Sequence, residues 1–108
     1  MTGVLLRLYL GLATLAVAGA AYAATTEIDQ IGQKFSRGSI TVGVGDTLNF
    51  VNQDDVRHNI RLIDADGNEA DKGLQEPGQA IDVRLDKTGR FTVRCAIHPK
   101  MKMVIEVK

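Results

Sequence analysis

The sequence predicts an all-β protein, a two-sheet Greek-key β-sandwich of about six to eight short strands. Three observations carry this. Apolar and polar residues alternate with period two through most of residues 40–107. Turn-forming groups, Gly45-Asp46, Asp66-Gly67, Pro77-Gly78 and Lys87-Thr88-Gly89, fall between the alternating runs. No segment after Ala24 carries a helical period.

The first segment stands apart from that pattern. Arg7 is followed by an uncharged stretch from Leu8 to Thr26, and Ala21-Tyr22-Ala23 forms an A-x-A cleavage site. A basic start, an apolar centre and small residues at the end are the plan of a secretory signal peptide, so residues 1–23 are expected to be a leader cleaved after Ala23. A retained membrane anchor is the competing reading, since the uncharged stretch is just long enough to span a bilayer. Residues 24–108 then form one domain, and export places it in the periplasm.

Within that domain a weak strand is expected between Thr26 and Phe35. Ile40, Val42 and Val44 alternate with Thr41 and Gly43, and Leu48 and Phe50 alternate with Thr47, Asn49 and Val51. Val56, His58, Ile60 and Leu62 share one parity, which makes it the buried face. Residues 64–79 are the least regular part, with room for a short helical turn. Ile81, Val83 and Leu85 form the next strand; Phe91, Val93 and Cys95 another; Met103, Ile105 and Val107 the last. Alternation this clean means sheets with one dry and one wet face.

Composition narrows the function. The 108 residues carry 13 basic and 13 acidic side chains, so no cationic excess points to nucleic acid. A single cysteine excludes an internal disulfide. In an oxidising compartment a lone thiol needs a partner or protection, and a metal supplies protection.

The chemistry concentrates in Cys95-Ala96-Ile97-His98-Pro99-Lys100-Met101, where a thiol, an imidazole and a thioether share one strand-to-strand loop. Cys95 follows the inward parity of Phe91 and Val93, and His58, on a distant strand, also points inward. A buried histidine, cysteine or methionine taken singly is ordinary core. Together, both histidines of the chain and its only cysteine converge on a His₂Cys set with a methionine at axial spacing, the pattern of electron-transfer copper. Met101 is preferred to Met103 as the axial residue because Met103 keeps the core parity of Ile105 and Val107. Zinc would want four cysteine or histidine ligands, and only three such residues exist. Asp64-Ala65-Asp66-Gly67-Asn68 reads as a turn rather than a calcium loop, its glycine being misplaced for one. Asn59, after His58, has two readings: a surface strand residue, or a hydrogen-bonding brace between the two ligand segments.

These residues resemble the cupredoxins, the type 1 blue copper proteins of the plastocyanin and amicyanin kind. Ile40-Thr41-Val42 leading to Gly45-Asp46-Thr47-Leu48-Asn49-Phe50-Val51-Asn52 resembles the first strand pair of that family, His58-Asn59-Ile60 its first ligand segment, and Gly89 to Met101 its C-terminal ligand loop. The short Cys-x₂-His-x₂-Met spacing is closer to amicyanin than to plastocyanin. The resemblance implies one copper per chain held by His58, Cys95 and His98 with Met101 axial, and Asn59 as the brace. It implies single-electron shuttling between a redox protein donor and acceptor through the surface around His98, by a monomer with no enzymatic activity. Lys100 and Lys102 would steer an acidic partner, or are ordinary solvated surface. A periplasmic copper carrier using the same ligands is the alternative, and a metal-free interaction domain a third.

Overall fold

A computed structural model describes residues 22–108. The leader expected over residues 1–23 therefore lies, up to Ala21, outside the described residues. Eight strands follow: β1 Thr25–Gln30, β2 Ser39–Val42, β3 Thr47–Asn52, β4 His58–Ile63, β5 Glu69–Gln75, β6 Ala80–Arg84, β7 Gly89–Arg94 and β8 Lys102–Val107. They build two sheets, β1-β3-β6 and β2-β8-β7-β4-β5. The all-β sandwich stands as expected.

The inward residues meet between the sheets. Ile28, Leu48, Phe50 and Val83 come from the smaller sheet; Val42, Ile60, Val93, Met103, Ile105 and Val107 come from the larger one. Phe35 packs edge-on against Phe50, ring centroids 5.9 Å apart at 73°, a favoured aromatic geometry. Two pairings are parallel, β1 with β3 and β2 with β8, and the rest are antiparallel.

The expected turns are present. Asp46 N–H donates to Gly43 O at 3.1 Å, Gly67 N–H to Asp64 O at 3.0 Å, and Gln79 N–H to Glu76 O at 3.0 Å. The Asp64 carboxylate accepts from the backbone N–H groups of Asp66 and Asn68, both at 2.9 Å, so it is spent on its own turn.

Three expectations need correction. Residues 64–79 hold no helical turn; they hold β5, at the edge of the larger sheet. Its sequence, Glu-Ala-Asp-Lys-Gly-Leu-Gln, does not alternate because most of it faces solvent and only Gln75 is buried. A register shift opposite Ile60 and Arg61 further breaks its period. Val56 is exposed and lies before β4, and Val44 is exposed and lies beyond β2. In both cases alternation runs past the strand end into a turn.

Candidate metal centre

The ligand end of the sandwich follows from the register of β4 and β7. Arg61 pairs with Arg94, so the residues preceding one and following the other, His58-Asn59 and Cys95-Ala96, come side by side where the ladder opens. Side chains replace the ladder there. The backbone N–H of Asn59 donates to Cys95 Sγ at 3.3 Å, and the backbone N–H of Ala96 donates to Asn59 Oδ1 at 2.5 Å. Asn59 Nδ2 donates to Asp71 Oδ1 at 3.3 Å. Asn59 thus has the outward parity read from the sequence, yet is only 5% exposed, with Ala96 of the loop after β7 and Asp71 of β5 bonded to its side chain.

Cys95 directly follows β7 and opens the loop that returns to β8. Met101 N–H donates to His98 O at 3.0 Å, a turn that folds the loop over the sandwich end. His58 and Cys95 are buried and His98 is partly buried. His58 Nδ1 lies 3.1 Å from His98 Nδ1, and Cys95 Sγ lies 3.9 Å from His58 Nδ1 and 3.8 Å from His98 Nδ1. Among the described residues these three form the one cluster of histidine, cysteine and carboxylate groups spaced to hold a metal ion.

The donor set fits copper. The two Nδ1 atoms and the Sγ, 3.1–3.9 Å from one another, would hold one ion between them. That is the trigonal His₂Cys arrangement of electron-transfer copper. Met101 is fully buried in the same loop, whereas Met103 pairs with Val93 inside the sandwich and belongs to the core. Around the cluster, Ala96, Ile97 and Pro99 are exposed.

Sequence patterning missed the polar groups behind the cluster. Gln75 pairs with His58 across β4 and β5. Its Nε2 donates to Phe50 O at 3.0 Å, and its Oε1 accepts from Gln30 Nε2 at 2.8 Å, joining the two sheets. Asn52 Nδ2 donates to Val56 O at 2.8 Å and fixes the loop leading to His58. Asn52 and Gln30 continue the inward parity of Leu48-Phe50 and Ile28, and polar residues at inward positions were the available signal. Asp54 had none, since it sits in an irregular loop. Its Oδ2 lies 2.7 Å from His58 Nε2. Burial pushes its carboxyl pKa up, but hydrogen bonds from His58 and from the backbone of Gln33 and Gly32, with the imidazole charge, outweigh that and hold it below the ordinary carboxylate value.

Comparison with known proteins decides the family. Residues 22–108 match the model of the copper binding proteins of the plastocyanin/azurin family. The chain belongs to this family.

Copper is accordingly its cofactor, and the cluster is where the family's chemistry and the chain's donors coincide. The chain is 38% identical over 64 residues to the methylamine utilization protein MauL of Methylorubrum extorquens, covering 59% of this chain and 56% of that protein. It is 33% identical over 84 residues to plastocyanin of Ulva prolifera, covering 68% of this chain and 86% of that protein. The matched part thus spans about half the length of the MauL protein and most of the plastocyanin. In three dimensions the chain resembles a mutant of amicyanin in the Cu(I) form, with a TM-score of 0.71 at 20% identity over 78% of this chain and 82% of that one. At that identity the likeness bears on the cupredoxin fold alone.

Proposed function

We propose that this cupredoxin is an exported carrier of single electrons, with copper held by His58, Cys95 and His98 and Met101 as the axial residue. The observation that carries the reading is the convergence of both imidazole Nδ1 atoms and the only thiol within 3.1–3.9 Å of one another. Copper bound there supplies a one-electron Cu(II)/Cu(I) couple.

The chain's own residues do the rest. Cys95 gives up its proton to bind metal, and the thiolate so formed accepts the Asn59 N–H. Asn59 braces the loop through Ala96 N–H, so the sulfur is held from two sides. His98 is the one imidazole that reaches the surface, and the exposed rim of Ala96, Ile97 and Pro99 forms an apolar seat around it for a redox partner. Lys100 and Lys102, both exposed beside that seat, favour an acidic partner at low salt. With both histidines and the cysteine committed to one centre, none remains for a second copper or a catalytic triad; a carrier, not an enzyme, is the reading supported. The leader-like pattern of residues 1–23 supports export to the periplasm, and among the described residues no helix is long and apolar enough to cross a membrane.

The test is the visible spectrum of the protein with one equivalent of Cu(II). An intense blue thiolate-to-copper band, bleached by reductant and lost in Cys95→Ser, is the expected result. Copper bound without that band would overturn the electron-carrier reading in favour of a copper carrier. No copper binding would remove the metal centre altogether.

A further inference from the structure

His58 has two ring nitrogens. Nδ1 faces Cys95 and His98, and Nε2 faces Asp54. What holds Asp54 is unusual. Ile31 and Lys34 close a tight turn by reciprocal backbone hydrogen bonds, 3.0 Å and 3.2 Å, just outside the bridge between Gln30 and Phe35. Both central residues are left-handed, Gly32 at φ 63° and Gln33 at φ 58°. This is the geometry of a two-residue hairpin turn, which favours Asn-Gly or Gly-Gly. Gln33 is the only non-glycine with positive φ among the described residues, a conformation its β-carbon disfavours.

The strained turn aims two backbone N–H groups at one carboxylate. Gly32 N–H donates to Asp54 Oδ1 at 2.6 Å, and Gln33 N–H donates to Asp54 Oδ2 at 2.9 Å. Successive N–H groups presented this way make an anion-binding concavity. Asp54 Oδ2 is then left 2.7 Å from His58 Nε2, on a side chain only 12% exposed against an imidazole with no exposure at all. Shielded from water, the contact is not the kind that solvent weakens.

We propose that Asp54, seated in the 31–34 turn, is a positioning residue for the metal centre: it fixes His58 as the Nε2–H tautomer and so presents the Nδ1 lone pair to the metal. The inference rests on His58 being a ligand, as proposed above. The chemistry is direct. An ionised carboxylate only accepts hydrogen bonds, so His58 Nε2 must carry a proton, and in the neutral imidazole that leaves Nδ1 bare. The nitrogen that binds metal is set by the bond the other nitrogen makes. A carboxylate behind a ligand imidazole also makes it a stronger donor, which favours Cu(II) over Cu(I). The route runs from a turn at the end of β1, through Asp54, to the first residue of β4, tying the smaller sheet to a ligand on the larger one.

The wild-type protein gives the first test, without metal. Long-range ¹⁵N–¹H spectra at mildly alkaline pH should show His58 protonated on Nε2; protonation on Nδ1 would overturn the proposal whatever any variant does. Asp54→Asn is the second. Its amide cannot accept from Gly32, Gln33 and His58 with the oxygens of a carboxylate; when its NH₂ turns to His58, Nε2 becomes the acceptor and the proton moves to Nδ1. Cu(II) binding should weaken by about ten- to a hundredfold, the reduction potential should rise, and the metal-free spectrum should show Nδ1–H. Asp55→Asn, the same loss of charge one residue along on an exposed side chain, should leave tautomer, affinity and potential as in the wild type. A folded Asp54→Asn variant with unchanged tautomer, affinity and potential overturns the proposal. A wild-type protein that forms no blue Cu(II) complex instead removes the ligand reading on which it stands. If Asp54→Asn does not fold, the wild-type tautomer decides.

Discussion

The two poles of the sandwich are built by different rules. At the ligand pole every buried polar side chain of the described core is gathered: Gln30, Asn52, His58, Asn59 and Gln75. Their bonds bridge distant segments, as between Gln30 and Gln75 or Asn59 and Ala96. At the opposite pole the organising groups are half-buried carboxylates: Asp46 accepts from Gly43 in its own turn and from Ala24 just before β1, and Asp64 accepts from Asp66 and Asn68 in its own turn. A cleft there, lined among others by Leu62, Asp64, Arg84, Asp86, Lys87 and Phe91, holds none of the four candidate ligands. Buried polar groups are costly unless each is bonded. The difference teaches that the fold concentrates that cost where side chains must be aimed, and closes its other end with local turn chemistry.

The comparison can be broken or sharpened in order of effect. The largest comes from the core that both poles share. Phe50→Ala removes a fully buried ring stacked edge-on by Phe35; thermal or denaturant unfolding should show a loss of about 3–5 kcal/mol, with both poles lost in one transition. A ligand-pole change should cost less and do more to the metal. Asn59→Ala leaves Ala96 N–H without its acceptor, so stability should fall by about 1–3 kcal/mol, and copper should leave the variant faster in a chelator-competition assay. Equal copper release from wild type and variant would show that the brace is structural only.

The smallest effect belongs to the far pole and to acid. The Asp46 carboxyl is held below its ordinary pKa by the Ala24 and Gly43 N–H groups, and Asp64 by the Asn68 side chain and backbone, with the Asp66 N–H and Lys87 helping against burial. A lowered folded-state pKa adds stability that is complete above the unfolded value, about 3.9 for Asp, and is lost as pH falls through the folded value. The melting temperature of the metal-free protein should therefore drop on acidification below about pH 4. Asp46→Asn with Asp64→Asn should lower it at neutral pH and flatten that drop. An equally steep drop would assign the acid sensitivity to other groups, the similarly lowered Asp54 first among them.

Much of this was legible in the chain. His58 and Cys95 were read as inward by parity with Ile60 and Val93, and both are buried; period two in a half-buried strand leaves little freedom. The ligand loop was legible because three donor types share seven residues. β5 was not, because an edge strand with a register shift and one buried side chain imposes no pattern on its sequence. Asp54 was invisible for a related reason. Its role depends on the backbone N–H groups of Gly32 and Gln33, and a backbone donor looks the same in every residue.

The parallel pairing of β2 with β8 carries a consequence for how the protein is made. Ser39 to Val42 lie beside Val104 to Val107, so an early segment waits for nearly the last residues before its sheet can close. Non-local pairing of this kind places refolding in the slow range of β-sandwiches, roughly milliseconds to seconds. The turn bearing His98 and Met101 lies just before β8, and its two ends are held by the pairing of β7 with β8, Arg94 opposite Lys102. Cys95 and His58 are brought together by a different contact, the antiparallel pairing of β4 with β7, so the metal cradle and the closing edge of the sheet rest on separate pairings.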